Sequence, residues 1–141
     1  MKLQLLIPLF LFSAGPAAAA APEAPQAGPR EDNAIPPALF TTLRNGDAKA
    51  LRALLRRGTP VNARDDTGAT PLMYAALYAG ADCVKLLLDH DAVPNATNKA
   101  GATALMWGVR DLAIVRLLLD HGAEVDARST RGNTALDIAA Y

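Results

Sequence analysis

The sequence predicts an all-α solenoid, a row of stacked antiparallel helix pairs with projecting loops between them. Three observations carry this. Gly68, Thr70, Leu72 and Met73 of "TGATPLMYAA" (67–76) recur 33 residues later as Gly101, Thr103, Leu105 and Met106 of "KAGATALMWG" (99–108). The run "VKLLLDHDA" (84–92) recurs as "VRLLLDHGA" (115–123), at an offset of 31. Short tails, "VNAR" (61–64), "PNAT" (94–97) and "VDAR" (125–128), repeat between them. Self-similarity near 33 residues marks an array in which each unit packs only on its neighbours.

Taken in order, the chain opens on a lone cation, Lys2, and the apolar run "LQLLIPLFLF" (3–12), followed by "SAGPAAAA" (13–20). That order is expected of a secretory signal peptide over residues 1–20, cleaved near Ala20. The competing reading, an uncleaved membrane anchor, is disfavoured by Pro8, Gly15 and Pro16. Residues 21–37, "APEAPQAGPREDNAIPP", hold few large apolar side chains and are expected to form a disordered linker. Residues 38–141 remain for the repeat domain. They divide into a capping repeat at 38–64, a repeat at 65–97, a shortened repeat at 98–128 and a partial repeat at 129–141.

Within a unit the helical signals agree. Thr70 suits an N-cap and Pro71 the first helical position, where its missing N–H costs nothing. Val84, Leu87 and Leu88 form an apolar stripe at i, i+3 and i+4 on a second helix from Asp82 to about His90. Loops rich in Asx residues and glycine, "NARDDTG", "NATNKAG" and "DARSTRG", separate the units.

At this point "DDTGATPLM" (65–73) resembles the opening of an ankyrin repeat, and 39–65 resembles that family's amino-terminal unit. The resemblance covers residues 37–141. It implies a non-enzymatic protein-binding module that docks a partner on its loop tips and concave first-helix face. Four departures follow from it. Met73, Met106 and Asp137 stand where the family carries a histidine that ties successive loops, which puts inter-loop rigidity in question. Asp91 replaces the helix-ending glycine found at Gly58 and Gly122, at a left-handed turn that aspartate tolerates less well. The 31-residue offset removes two residues between the helices of the third unit, so its first helix is expected to end early, near Val109–Asp111. Finally, "GNTALDIAAY" (132–141) supplies only the first helix of another unit, which suggests a longer array or a partner over that end.

Charge excludes some functions. There are 14 basic and 14 acidic residues, so nothing points to nucleic acid or an anionic membrane. The single cysteine, Cys83, cannot form an internal disulfide and reads as a small buried hydrophobe. No catalytic constellation, phosphate-binding loop or metal cluster has sensible spacing, and no cofactor or small-molecule substrate is expected. His90 and His121 occupy matching positions, but stacked helices lie about 8–10 Å apart, awkward for a shared metal. Arg44, Arg52, Arg56 and Arg57 read as a solvated face. Asn95 of "NAT" fits a structural loop role better than glycosylation, because Asn62 and Asp126 share its register.

Mapped by register, the resemblance implies partner contacts at Asp66, Thr67, Ala69, Lys99, Ala102, Thr130, Arg131 and Asn133 on the loops. Arg64, Thr97 and Arg128 lie beside them. Leu77, Tyr78, Arg110 and Asp111 are the first-helix candidates. Tyr78 reads as an exposed anchor, since aromatics dominate binding hot spots, whereas Tyr74 and Trp107 lie one register inward, with Trp107 expected in the core. The expected location is periplasmic or secreted, with a bacterial character. Two rivals stand beside this reading: the front of a longer exported protein that bears an enzymatic or redox domain, and a structural spacer.

Overall fold

The computed structural model describes residues 34–141, and those residues contain helices and turns but no strand. The signal-peptide expectation, and the linker expectation as far as residue 33, lie outside the described residues. The linker boundary needs correction at its end. Ile35 packs on the core and α1 already begins at Pro37. Pro36 sits at the N-cap, and prolines suit a helix start, where they cost no hydrogen bond.

Seven helices follow: α1 (Pro37–Asn45), α2 (Ala48–Arg56), α3 (Pro71–Tyr74), α4 (Ala81–Asp89), α5 (Ala104–Trp107), α6 (Leu112–Asp120) and α7 (Ala135–Ala139). α3 runs directly into one π-helical turn, Ala75–Ala79, closed by Gly80 N–H donating to the Ala75 carbonyl at 3.1 Å. The first helices α1, α3, α5 and α7 pack in one row, and α2, α4 and α6 in a second behind it.

The local starts are those the sequence announces. Thr70 and Thr103 accept from the Met73 and Met106 amides, capping α3 and α5, with Pro71 at the first position of α3. Thr134 and Asp137 form a capping box at α7, whose hydrogen bonds hold the Asp137 carboxyl below its ordinary pKa. Asp47 and Asp111 cap α2 and α6. Each such cap stabilises its helix by about 1 kcal/mol.

The core is a single strip between the two rows, built on Leu39, Leu43, Leu51, Leu72, Met73, Leu87, Ile114 and Leu118. Neighbour-on-neighbour packing is visible at one repeated register. Leu55 and Leu88 are 7% and 6% exposed beneath the following unit, whereas Leu119 is 40% exposed. Cys83 is fully buried as expected, and burial, with Asp82 and Asp47 nearby, pushes its thiol pKa up, away from reactivity.

The shortened unit departs further than expected. α5 ends at Trp107, two residues before the range anticipated at Val109–Asp111. Gly108 breaks the helix after one turn, and Asp111 N–H donates to the Gly108 carbonyl at 3.0 Å, folding the connector tightly before Asp111 caps α6. Asp91 does adopt the left-handed conformation, with φ of 67°, against 84° and 88° at Gly58 and Gly122.

Candidate functional site

The loops are built from one repeated turn. Asp65 Oδ1 accepts from the Thr67 and Ala69 amides, at 2.8 and 2.9 Å. Asn98 Oδ1 accepts from the Ala100 and Ala102 amides, both at 2.9 Å. Ser129 Oγ takes the same register with the Asn133 amide. Such Asx turns close the loop on itself without secondary structure. Arg64 and Arg128 brace two of the loops from within, donating to the Gly68 and Gly132 carbonyls.

Adjacent loops are tied without the family's histidine. Lys99 N–H donates to the Thr67 carbonyl at 2.8 Å, and Thr130 N–H donates to the Ala100 carbonyl at 2.9 Å. Arg64 reaches across to the Thr97 carbonyl at 2.7 Å. On the other side of each unit, Asn62 brackets the next helix end, donating to the Asp91 carbonyl and accepting from Val93 N–H. Asn95 does the same with Gly122 and Glu124, which is the structural role expected of it. Met73 and Met106, at the histidine positions, are buried in the core. Backbone and asparagine bonds thus do the tying that the sequence left in question.

Along the first-helix row runs a ridge of half-buried side chains, one per unit: Phe40, Tyr74, Trp107 and Ile138. Tyr74 meets Phe40 edge-on at 5.0 Å and Trp107 edge-on at 5.5 Å, and Tyr78 stacks parallel to it at 6.4 Å. Tyr74 Oη donates to Asp65 Oδ2, joining ridge to loop. Burial, then that bond, pushes the Tyr74 phenol up to about 12. Burial pushes the Asp65 carboxyl up, but its bonds from Tyr74, Thr67 and Ala69 outweigh this and leave it below the usual value. Between the ridge and the last two loops lies a cleft of about 350 Å³, lined by Met106, Trp107 and Ile138 beneath and by Ser129, Thr130 and Arg131 at its rim.

Among the contacts anticipated from register, Asp66, Thr67, Lys99, Thr130, Arg131 and Asn133 are exposed at loop tips, and Ala102 is half-buried in the cleft wall. Leu77 and Tyr78 are exposed on the π-helical turn, Tyr78 at 54%. Ala69 requires correction. It is fully buried, with its N–H and carbonyl both taken by Asp65, so its side chain presents nothing to a partner. Arg110 and Asp111 are exposed, but in the α5–α6 connector and not on a first helix, because α5 stops at Trp107. Trp107, expected in the core, is half-buried: it packs against the core and, like Tyr74 at the same register, keeps part of its ring outside, where it lines the cleft. Phe40, Ser129 and Ile138 join the surface without a motif of their own in the sequence, although Ile138 shares the register of Tyr74 and Trp107.

His90 and His121 each place Nδ1 2.8 Å from a carbonyl one turn back, Leu86 and Leu117. Among the described residues no group of three metal-ligating side chains occurs, and no helix is long and apolar enough to cross a membrane. Arg44, Arg52, Arg56 and Arg57 are all exposed.

A row of helix pairs with stacked loops and a groove between them defines a repeat-built interaction scaffold. Family models for ankyrin repeats match residues 26–98 and 110–141, so the chain belongs to the ankyrin repeat family. It is 49% identical over 68 residues to a transient receptor potential cation channel subfamily A member 1 homolog of Caenorhabditis elegans, covering 48% of this chain and 6% of that protein. It is 38% identical over 60 residues to ankyrin repeat domain-containing protein 63 of Mus musculus, covering 43% and 15%. A 2-5A-dependent ribonuclease of Mus musculus is 41% identical over 66 residues, covering 46% and 9%. The chain thus matches only a small part of each relative's length.

Proposed function

We propose that this chain is an exported, non-enzymatic protein-binding module that docks its partner in the groove between loop tips and first helices. The observation that carries the reading is the tied, self-braced loop row facing the aromatic ridge, a surface ordered before any partner arrives. Ordering in advance lowers the entropy cost of association. The exposed Tyr78 ring stacked on Tyr74 is the anchor, because a rigid aromatic loses little freedom on contact. Export to the periplasm rests on the leader-like residues 1–20, and N-terminal sequencing of the protein from the periplasmic fraction tests it: a start near residue 21 is expected, and an intact Met1 is the contrary result.

Affinity capture from periplasmic extract with the full chain as bait tests the binding reading. Alanine at Tyr78 and Arg131 together is expected to abolish capture, while alanine at Lys85 on α4 leaves it unchanged. Equal capture by all three proteins would overturn the reading. A second reading, that the array is the binding part of a longer protein with a catalytic or redox domain, is motivated by the small share of each relative that is matched. Reading the gene downstream of Tyr141 decides it, an immediate stop codon being the contrary result.

A further inference from the structure

The cleft at Trp107 carries a feature of its own. Its floor is apolar, made by Trp107, Met106 and Ile138, and its rim carries one cation, Arg131, beside Ser129 and Thr130. The Thr130-to-Ala100 bond pins the two loop tips together with Lys99 immediately before one end and Arg131 immediately after the other. Both cations are exposed, and neither has an acidic partner, since Lys85–Asp89 is the only ion pair among the described residues. Of the nearby acids, Asp137 is held in the α7 capping box beside Arg128, and Asp66 is exposed on the neighbouring loop without forming an ion pair.

An apolar pocket with Arg131 on its rim, and with exposed Lys99 one residue before the lining Ala100, is complementary to an apolar side chain flanked by carboxylates. We propose that this cleft takes an extended acidic peptide segment of a partner protein, seating one leucine-like side chain against Trp107 while neighbouring carboxylates meet Arg131 and Lys99. The inference rests on the reading of the groove as a docking surface and names the chemistry that fills one end of it. Two cations are too few for a phosphate polymer, whose binding depends on neutralising many phosphates, so a protein segment is favoured over nucleic acid. The pairing sits at a rim, so it sets selectivity and salt dependence more than raw affinity.

Trp107 is the chain's single tryptophan, so its emission reads the cleft directly. The test titrates the full chain with a short peptide alternating leucine and glutamate, with its leucine–lysine counterpart, and with a single-stranded DNA oligonucleotide. The acidic peptide is expected to shift Trp107 emission saturably, and the other two to leave it unchanged. Arg131→Glu is expected to weaken the acidic peptide by about tenfold, with Lys99→Glu acting similarly and Lys85→Glu having no effect. Circular dichroism of each variant confirms that it is folded. An unchanged emission, an equal response to the lysine peptide, a response to DNA, or indifference to Arg131→Glu would each overturn the inference. If the peptide fails while capture remains dependent on Tyr78, the inference falls and the docking reading stands.

Discussion

The second and third units carry nearly the same sequence, yet their first helices differ by more than a turn. In the second, α3 continues through a π-helical turn to Ala79, whereas in the third, α5 stops at Trp107. Two residues fewer separate the helices of the third unit, and one pair of positions changes with them. The second unit holds Ala75 and Cys83, both buried, where the third holds Gly108 and Ile114. A Cβ at Gly108 would lie 2.6 Å from Ile114 Cγ2 and 3.0 Å from the Ala76 Cβ. A larger side chain on the second helix is accommodated by removing one from the first. Close-packed interiors tolerate such exchanges only when total volume is conserved.

The largest effect is therefore expected at that position. Gly108→Ala should destabilise the chain by about 1–3 kcal/mol, as overpacking does elsewhere, although the Gly108 backbone itself suits alanine. On an Ile114→Cys background, which recreates the pairing of the second unit, the same change should cost less than about 0.5 kcal/mol. Urea denaturation of the four proteins measures the cycle, and equal costs on both backgrounds would break the volume argument.

A second contrast lies at the ridge. Tyr74 donates to Asp65, but the corresponding residues of the third unit are Trp107 and Asn98, and both Asn98 bonds go to its own loop. Tyr74→Phe should cost about 1 kcal/mol, a modest value because solvent screens this half-buried pair. The pair also predicts a pH dependence. With the phenol raised from 10.0 to about 12, its contribution is complete below pH 10 and is lost as pH rises through 12. Asp65 works in the opposite sense: its carboxyl is depressed, so its contribution is lost as pH falls through that lowered value. Stability measured across the alkaline window should lose part of its slope in Tyr74→Phe, and an identical slope would remove the pair from the account.

The smallest effect concerns the helix ends. Asp91 holds the left-handed turn that Gly122 holds one unit later. Asp91→Gly should raise stability by about 0.5 kcal/mol, the relief of the turn exceeding the added freedom of the unfolded chain. The carbonyl that Asn62 uses is retained. A loss of stability measured by thermal unfolding would show that the aspartate side chain contributes more than its backbone costs.

The helix pairs, their threonine caps, the buried Cys83 and the structural role of Asn95 were all legible in the sequence, because each depends on local chemistry repeated at a fixed period. The loop ties were not. They run between backbone groups of neighbouring units, and a missing histidine says nothing about how amides and asparagines make up for it. Ala69 looked exposed because register placed it in a loop, but the Asx turn of Asp65 folds it inward. Arg110 was misplaced because a two-residue deletion can be read from offsets, but where the helix breaks depends on Gly108 meeting Ile114 in space. Trp107, by contrast, is half-buried as Tyr74 is, a property of the ridge register that both units share. The cleft joins side chains of α5, α7 and two loops that lie far apart in the chain, so no single stretch of sequence shows it.

The central claim is that a partner meets the loop tips and first helices, leaving the second-helix row free. A photo-crosslinking amino acid placed at Tyr78 or Arg131, and separately at Lys85 or Arg116 on the second helices, tests it in the full chain. Adducts to one and the same protein from the first pair, and none from the second, are the predicted result. Adducts formed chiefly from Lys85 and Arg116 would contradict it.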